Sequence, residues 1–416
     1  MPEFLELLPP EQALTALLEN LPVQVDSEEV AAQDALGRVT ASPVVAQHPL
    51  PSFPRSTVDG YAVKAADTHG ASESLPAYLK LAGEVPMGAD PELSLAPAEC
   101  ALIHTGGMLP AGADAVVMVE HTQSARADEV EMLRAVAVGD NVLKVGEDVA
   151  AGQEVIPAGT RLRPAEIGGL MALGVTRVQV ARQPSVGILS TGDEVVPPDE
   201  EVAPGEVRDI NSYTLSALVE QAGGQPVRYG IIPDRFADLR TASARALEEC
   251  DLVVITAGSS ASVRDLTSRV INELGEPGVL VHGVDVRPGK PTILAVCRET
   301  SSGRSRPVVG LPGNPVSALV IAGLFVVPVI EALMGLKVTR PRPAVQARLT
   351  LNLASQTGRE DWVPVQLTPE SGGYRAEPIF GKSNLIFTLA RADGLLRIPP
   401  DATGLGAGEQ VEVFLL

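Results

Sequence analysis

The feature that most constrains this fold is a regular alternation of short apolar segments and longer amphipathic segments between residues 185 and 335. Apolar runs such as Val186–Leu189 and Leu252–Thr256 are long enough for one buried strand, and helical patterns follow them. Strands that alternate with helices in this way build a mostly parallel sheet with helices on both faces. The sequence therefore predicts a central α/β/α domain over residues 181–335.

Small polar residues and carboxylates follow the first of these predicted strands. The apolar run Val186–Leu189 changes abruptly into Ser190–Glu194, which holds two hydroxyls, a glycine and two carboxylates. Ligands of open α/β sheets bind at the carboxyl ends of the strands, where backbone N–H groups hold phosphates and other oxyanions. Two adjacent carboxylates would repel such an anion unless Mg²⁺ lay between them and it. The stretch alone fits a metal-bridged anionic ligand and a solvated turn equally well.

Four more polar loops are predicted to meet the same edge of the sheet. They are Arg208–Ser212, Ala257–Asp265, Arg287–Pro291 and Gly310–Ala318. The first loop contains Asn211 and Ser212 as candidate helix N-caps, and the second has a Gly-Ser-Ser sequence that suits an oxyanion cradle. The third supplies two cations. Each loop alone is more often structural, but together they indicate a binding site.

The flanking regions are predicted to form smaller units that are richer in β structure. We expect a helix over Pro10–Leu21, a short helix over Glu28–Ala35 and a strand over Leu385–Leu389. The proline-rich run Arg340–Pro343 is typical of a stiff linker. The predicted units are residues 1–50 (N-terminal helices and a linking segment), 51–137 (an inserted β-rich domain), 138–180 (a linking domain paired with the N-terminal segment), 181–335 (the α/β domain) and 336–416 (a β-barrel-like domain).

Composition excludes several classes of function. The 416 residues carry a net charge of -20, which argues against a general nucleic-acid or membrane-surface binder. Cys100, Cys250 and Cys297 are far apart, so neither a disulfide framework nor a zinc site is expected. The apolar run Val316–Ile330 is short for a membrane span and contains Pro328, which favours a buried helix. Because the N-terminus lacks a signal-peptide pattern, we expect a cytoplasmic protein.

These motifs, taken in order, resemble the MoeA family of molybdopterin molybdenumtransferases, which are bacterial relatives of the gephyrin E domain. The resemblance extends over nearly the whole chain. The flanking β domains separate this sequence from stand-alone molybdopterin adenylyltransferases, which resemble only its central region. The matching segments are Ser56–Val63, Thr105–Gly106, Gly146–Asp148, Ser190–Glu194, Asp209 with Asn211, Pro288–Pro291 and Gly310–Ala318.

The resemblance implies an activity in molybdenum cofactor biosynthesis. Members of the family insert molybdenum from molybdate into adenylylated molybdopterin, with Mg²⁺ as the metal and with release of AMP. It also implies a molybdopterin-binding type of central domain and an elongated homodimer in which a neighbouring subunit completes the site. The molybdopterin adenylyltransferase is a further partner that the resemblance suggests. Both ligands are anions, which fits the predicted cations and N–H groups.

The resemblance assigns roles to residues of these motifs. Asp193, Glu194 and Asp265 would hold Mg²⁺ around the phosphates of the ligand, since that ion prefers hard oxygen ligands. Catalysis would fall to these three carboxylates and to Lys290, while Arg287 would help to neutralise molybdate or pyrophosphate. The remaining residues expected at the ligand are Thr191, Gly192, Asp209, Asn211, Gly258, Ser259, Ser260, Gly313, Asn314 and Ser317, with Asp59, Thr105 and Asp148 approaching from other domains.

The chain departs from the family pattern in three places. The segment Gly258–Ser262 is one residue shorter than the usual Gly-Gly-Val-Ser-x-Gly loop and has Ser262 near a usual glycine. Arg287 replaces a usual lysine, which keeps the charge but presents a planar fork instead of a point. Lys382 and Ser383 match the C-terminal loop of the family only loosely.

Two other classes of function stay open at this point. One is a non-catalytic scaffold, because the gephyrin relative also organises partner proteins. The absence of a long disordered linker or extra module disfavours it. The other is a nucleotide pyrophosphatase of the CinA kind, which would release AMP from simple dinucleotides without molybdate.

Overall fold

The computed structural model describes residues 7–126, 128–257, 261–298, 303–338 and 341–416, without the side chains of residues 125, 257 and 261–265. Helices are concentrated between residues 164 and 333, as the sequence pattern predicts. The α-helices of the described chain are α1 (Pro10–Glu19), α2 (Pro164–Ala172), α3 (Asn211–Ala222), α4 (Phe236–Glu249), α5 (Ala261–Leu274), α6 (Pro315–Ile321), α7 (Val327–Leu333) and α8 (Phe387–Ala390).

The N-terminal part of the chain is built around a six-stranded mixed sheet. Its strand order is β7-β4-β6-β5-β9-β8, and three two-stranded pairs, β1-β12, β2-β11 and β3-β10, lie outside it. Neighbouring residues Ala62 and Val63 enter different apolar clusters, because side chains alternate between the faces of a strand. The strands are β1 (Ser27–Ala31), β2 (Val44–Val45), β3 (Arg55–Ser56), β4 (Gly60–Val63), β5 (Ala77–Glu84), β6 (Glu99–Ile103), β7 (Ala115–Met118), β8 (Thr122–Arg126), β9 (Glu129–Met132), β10 (Val142–Leu143), β11 (Glu154–Ile156) and β12 (Arg177–Ala181).

The predicted helix over Glu28–Ala35 is wrong, because this segment begins with strand β1. It pairs antiparallel with β12, with Val30 opposite Val178. An ion pair of 2.7 Å joins Arg177 Nε to a carboxylate oxygen of Glu29 across the same pair. Helical propensity in a short segment is a weak preference, and tertiary pairing overrides it here.

The central domain is organised on a six-stranded sheet with the order β16-β13-β17-β21-β20-β18. The four strands from β16 to β21 are parallel, whereas β20 and β18 are antiparallel to their neighbours. The mostly parallel sheet that the sequence predicts is therefore present. Its strands and the short strands beside it are β13 (Ser185–Thr191), β14 (Val195–Val196), β15 (Val207–Arg208), β16 (Gln225–Ile232), β17 (Leu252–Ala257), β18 (Pro277–His282), β19 (Val286–Arg287), β20 (Ile293–Arg298) and β21 (Ser305–Pro312).

The antiparallel strand β20 changes how one predicted loop reaches the site. Ile293, the first residue of β20, pairs with Gly310 near the end of β21. The amino end of β20 therefore lies at the carboxyl edge of the parallel strands. Arg287–Lys290, which precedes β20, reaches that edge before an antiparallel strand and not after a parallel one.

Two apolar clusters cover the two faces of the central sheet. One cluster takes residues from α1, α3, α6 and α7, including Leu17 and Leu215. The other takes residues from α4 and α5, including Leu239 and Val270. This arrangement gives the α/β/α layers expected from strands that alternate with helices.

One long apolar helix runs from Pro315 to Leu333 and passes through a π-helical segment, Ala322–Val326. The π-helical segment ends just before Pro328, whose ring would otherwise clash with the carbonyl four residues earlier. By length and composition this helix could cross a membrane, but it packs into the apolar core through Ala318, Phe325 and other residues. The packing agrees with the buried helix predicted from the sequence.

The C-terminal part forms a closed ring of β-strands. Strand β24 pairs with both β25 and β26, and the order β24-β25-β22-β28-β26 returns to β24, so this barrel-like sheet has no free edge along the ring. Val365, Leu396 and Val413 fill its interior. Its strands, with the short pair β23-β27, are β22 (Ala344–Leu349), β23 (Leu353–Ala354), β24 (Glu360–Glu370), β25 (Gly373–Pro378), β26 (Gly394–Ile398), β27 (Gly404–Leu405) and β28 (Gln410–Leu415).

Two details fix how the barrel-like sheet meets the central domain. Strand β19 of the central domain pairs parallel with β24, with Val286 opposite Glu360. The strand predicted over Leu385–Leu389 is instead a turn that leads into the short helix α8, since Thr388 N–H donates to the carbonyl of Leu385. This turn places the preceding loop against the central domain.

Candidate functional site

The centre of the candidate site is a group of polar side chains at the carboxyl edge of the central sheet. Ser190, near the end of β13, donates its hydroxyl to Asp209 Oδ1 at 2.9 Å. The same hydroxyl lies 3.2 Å from Thr256 Oγ1 at the end of the neighbouring strand β17. All three residues are buried. The strand-end convergence predicted from the sequence is present at these positions.

Asp209 also holds the start of helix α3. The backbone N–H of Ser212 donates to Asp209 Oδ1 at 3.1 Å, so this carboxylate satisfies one of the free N–H groups of the first turn. Ile210 occupies the N-cap position, and the prediction that Asn211 or Ser212 would be the N-cap is therefore wrong. Asn211 instead donates its side-chain amide to the carbonyl of Gly313 at 2.8 Å, which ties two of the predicted loops together.

Three carboxylates crowd one side of this edge. Asp193 and Glu194 are exposed, and Asp193 Oδ1 accepts the backbone N–H of Asp234 at 3.2 Å. Burial and the negative charges of Asp193 and Glu194 raise the pKa of Asp234 above its ordinary value. Gly192 makes this turn possible with φ +142, since a Cβ there would lie 2.8 Å from Val195 Cγ2.

Asp234 is a site residue that the sequence reasoning missed. It lies two residues after the end of β16, so it follows a strand in the same way as Ser190 and Thr256. The sequence Ile232-Pro233-Asp234 is typical of an ordinary turn, so no local pattern marks Asp234 as a candidate site residue. The signal that would have identified it is its place at the carboxyl end of a predicted parallel strand.

Two neighbouring buried polar atoms at this edge have no hydrogen-bond partner among the described residues. They are Asn211 Oδ1 and Ser212 Oγ. The Thr191 hydroxyl is also buried, and it lies close enough to the Asp234 carboxylate to oppose the rise in the pKa of Asp234. Buried polar atoms in native proteins almost always have partners, because an unsatisfied one costs about 1–3 kcal/mol. Two such atoms side by side at this edge are the pattern expected where a polar ligand completes the hydrogen bonding.

Two predicted cations lie on a tightly packed loop beside this edge. Both Arg287 and Lys290 are exposed. Gly289 between them has φ +117, and a Cβ there would lie 2.2 Å from Ile321 Cγ1 of α6. Only glycine therefore lets this loop sit so close to the helix. Arg287 Nη1 lies 3.8 Å from Asp361 Oδ2 of the C-terminal sheet, which directs the guanidinium toward that domain.

The C-terminal domain contributes a loop to the site. Ser383 Oγ accepts a hydrogen bond of 3.0 Å from the side-chain amide of Asn314, and its carbonyl accepts the backbone N–H of Val316 at 3.0 Å. The loosely matching Lys382–Ser383 loop therefore lies against the start of α6. Ser317, in the first turn of the same helix, is buried.

Asp59, Thr105 and Asp148 lie in the N-terminal part of the chain and are hydrogen-bonded within it. Asp59 Oδ1 accepts the backbone N–H of Thr105 at 2.8 Å and its hydroxyl at 3.2 Å. The hydrogen bond from the Thr105 backbone lowers the pKa of Asp59. The backbone N–H of Asp148 donates to the carbonyl of Leu50 at 3.1 Å. None of the hydrogen bonds found in the described part of the chain joins these three residues to the central site.

Some predicted site residues lie outside what the structure describes. These are Gly258, Ser259 and Ser260, together with the side chain of Asp265. In the remaining chain no group of three or more His, Cys, Asp or Glu side chains has the arrangement of a metal site. The chemistry of the donors nevertheless suits a hard cation, because Asp193, Glu194 and Asp234 bring carboxylate oxygens into mutual repulsion.

Family models match three successive parts of the chain. Residues 8–174 match the MoeA N-terminal region (domain I and II). Residues 187–332 match the model described as Probable molybdopterin binding domain, and residues 346–416 match the MoeA C-terminal region (domain IV). The three matches follow the three parts of the fold described above.

Relatives match the chain over nearly its full length. The chain is 34% identical over 403 residues to the molybdopterin molybdenumtransferase of a Nostoc species, covering 96% of this chain and 91% of the relative. It is 32% identical over 397 residues to the enzyme of the same name from Bacillus subtilis, covering 94% and 90%. Among solved structures, the molybdopterin biosynthesis moeA protein of Pyrococcus horikoshii matches with a TM-score of 0.84 and 33% identity, covering 99% of this chain and 100% of that one.

Proposed function

This chain belongs to the MoeA family of molybdenum cofactor biosynthesis, and we propose that it acts there as a molybdopterin molybdenumtransferase at the carboxyl edge of its central sheet. Its substrates are molybdate and adenylylated molybdopterin, and the reaction releases AMP. One observation carries the assignment to this edge. Two unpartnered buried polar atoms, of Asn211 and Ser212, lie there beside carboxylates and exposed cations, as a metal-bound phosphorylated ligand requires.

The proposed ligand is held from several sides by residues of this chain. Lys290 and Arg287 attract the oxyanions of molybdate and phosphate by charge. Asn211 and Ser212 offer side-chain atoms that have no partner in the described structure, and the buried Thr191 hydroxyl lies beside the Asp234 carboxylate. Asp209 keeps the start of α3 in place, so these groups are positioned before the ligand arrives. Predicted contacts from Gly258, Ser259, Ser260, Gly313, Asn314 and Ser317 belong to the same proposal.

We propose Mg²⁺ as the cofactor of this site. Asp193, Glu194 and Asp265 are the predicted ligands, and Asp234 joins them because its carboxylate interacts with those of Asp193 and Glu194. When bound, the ion supplies positive charge that neutralises phosphate and molybdate oxygens. The carboxylates in turn lose the mutual repulsion that they have without a cation.

We further propose a cytoplasmic homodimer. Asp59 and Thr105 are hydrogen-bonded to each other, and no hydrogen bond of the described residues joins them or Asp148 to the central site of the same chain. In the proposal they complete the site of the neighbouring subunit. The molybdopterin adenylyltransferase, which makes the adenylylated substrate, is the proposed source of that substrate.

The decisive experiment replaces Glu194 by Ala and supplies adenylylated molybdopterin, molybdate and Mg²⁺. Inserted molybdenum is measured by mass spectrometry and released AMP by chromatography, with circular dichroism as a check of folding. We expect both products to fall at least about tenfold, since removal of one charged group that stabilises a transition state costs ~1.4 kcal/mol or more. The matched control is Glu201→Ala, an exposed carboxylate in the same loop region.

Three outcomes would count against the proposal. Full activity of a folded Glu194→Ala variant would remove this residue from the site. Release of AMP by the wild-type chain from simple dinucleotides, without molybdate, would favour a pyrophosphatase of the CinA kind. Stable capture of partner proteins, without any Mg²⁺ or molybdate binding, would favour a scaffold.

A further inference from the structure

Two phenylalanines on the C-terminal domain are exposed far beyond the other aromatic side chains of the described structure. Phe380 and Phe387 are each 68% exposed, whereas the next most exposed aromatic residue, Tyr78, is 53% exposed. Because aromatic residues make up only 3% of the chain, a high aromatic content does not explain the exposure of these two. Large exposed apolar groups of this kind commonly mark a binding surface.

The backbone around these rings is fixed. A Cβ on Gly381 would lie 2.4 Å from Thr388 Cγ2, so the residue after Phe380 packs against the residue after Phe387. Thr388 is buried and donates its hydroxyl to the carbonyl of Leu385 at 2.8 Å. Phe380 and Phe387 therefore flank the two ends of one loop, which the contact between Gly381 and Thr388 closes.

The same loop touches the candidate site. Ser383, which lies between the two phenylalanines in sequence, accepts a hydrogen bond from Asn314 and one from the backbone of Val316. Lys382 beside it is exposed and positively charged. The loop thus combines two exposed aromatic rings with a cation at the border of a site rich in oxyanion-binding groups.

We infer that Phe380 and Phe387 form a stacking platform for a planar heteroaromatic ring of the ligand. A ring that carries a phosphate can place its anionic group at the sheet edge and its flat face on the phenylalanines. Stacking of a base on an aromatic side chain tolerates different ring types, because every such ring has a π-face. The inference rests on the proposed function, whose substrate contains two such rings, an adenine and a pterin.

Binding titrations on the full chain test this platform with two probes, AMP and an unphosphorylated pterin. We expect Phe387→Ala and Phe380→Ala each to weaken binding of one probe by about 5- to 150-fold, the range found when a stacking side chain is truncated. The probe whose affinity falls identifies the ring that stacks. Phe387→Trp should bind that probe as the wild type does and not as Phe387→Ala does. The probe should also quench the fluorescence of the new tryptophan, which can be distinguished because the native Trp362 is buried.

The matched control is Leu385→Ala, which removes an exposed apolar side chain from the same loop without removing a ring. Equal losses in this variant and in Phe387→Ala would overturn the inference, because apolar area and not stacking would then be responsible. Sedimentation velocity provides a second check. If the phenylalanine variants dissociate an oligomer and bind both probes normally, the rings form a subunit contact and the inference is wrong.

The result also separates this inference from the proposed function. If the wild-type chain inserts molybdenum and the phenylalanine variants bind both probes as tightly as the wild type, only the stacking platform is refuted. If the wild-type chain binds neither probe and inserts no molybdenum, both proposals fail.

Discussion

The amino edge of the central sheet depends on one buried carboxylate, Asp251. Its two oxygens accept bonds of 3.0 and 2.9 Å from Arg182 Nη2 and a bond of 2.7 Å from Arg306 Nη1. The backbone N–H and hydroxyl of Ser185 add two more, at 2.9 and 3.0 Å. Arg182, Asp251 and Arg306 line a cavity of about 470 Å³, but their charges are paired with one another, which makes the cavity a structural junction of β13, β17 and β21.

Replacement of Asp251 by Asn should therefore destabilise the central domain strongly. Breaking a buried ion pair by removing one partner costs about 3–5 kcal/mol. We expect the lower end, about 3 kcal/mol, because the Arg182 side chain is 42% exposed and can be rehydrated, whereas that of Arg306 is 14% exposed. For a domain of this size, that loss lowers the melting temperature by roughly 6–12 °C.

The effect should depend on pH in a defined direction. Burial raises the pKa of Asp251, but hydrogen bonds from Ser185 and the ion pair with Arg182 outweigh burial and leave the pKa below its ordinary value. A carboxyl group with a lowered pKa in the folded state stabilises the protein above its unfolded pKa of about 3.9, and this contribution disappears as pH falls through the folded value. The difference between wild type and Asp251→Asn should thus be full at pH 7 and shrink below about pH 4.

Scanning calorimetry is the appropriate assay, because several domains unfold and only the transition of the central domain should move. The control is Asp26→Asn, which removes the other carboxylate near Arg182, at 3.7 Å and nearly half exposed. An exposed pair is worth about 0–1 kcal/mol, so this variant should melt almost as the wild type does. Equal shifts in the two variants at pH 7 would refute the argument that burial decides the energetic weight of Asp251.

Two further substitutions examine the candidate site. Gly289→Ala should destabilise the chain by more than about 1–3 kcal/mol in a thermal melt and impair molybdate binding, because it adds a clash with Ile321 to an unfavourable backbone angle. The control is Gly230→Ala, which has φ +83 and open space around it and should therefore show only the cost of the backbone angle. Asp209→Ala should lower the free energy of unfolding by about 1–3 kcal/mol, because the Ser190 hydroxyl and a backbone N–H of α3 lose their acceptor. Asp209→Asn keeps an oxygen at that position, so a loss as large as that of Asp209→Ala in urea denaturation would contradict this explanation.

The convergence of the central site could be predicted because parallel strands impose it. Ser190 and Thr256 lie at the ends of neighbouring parallel strands, so their contact follows from the strand–helix alternation alone. The contact between Asn211 and Gly313 follows for the same reason, since both loops lie at the carboxyl edge. For such residues the strand–helix alternation of the sequence is sufficient to predict that they meet at one edge of the sheet.

Other features depend on pairings that no local pattern encodes. The position of Arg287–Lys290 depends on the antiparallel direction of β20, and a short apolar strand does not reveal its direction. Ser27–Ala31 becomes a strand only because β12 offers it a partner nearly 150 residues away. The hydrogen bond between Asn314 and Ser383 likewise requires a separate domain to dock beside α6.

The two edges of the central sheet show why one serves stability and the other function. At the amino edge Asp251 accepts hydrogen bonds from Arg182, Arg306 and Ser185, and its charge is matched by the two arginines. At the carboxyl edge the charge of Asp234 lies beside the like charges of Asp193 and Glu194, and no ion pair with an arginine or lysine is found for it among the described residues. The two carboxylates therefore differ in charge balance, since one is neutralised within the chain and the other is not. The carboxyl edge is arranged for positive charge that arrives with a ligand.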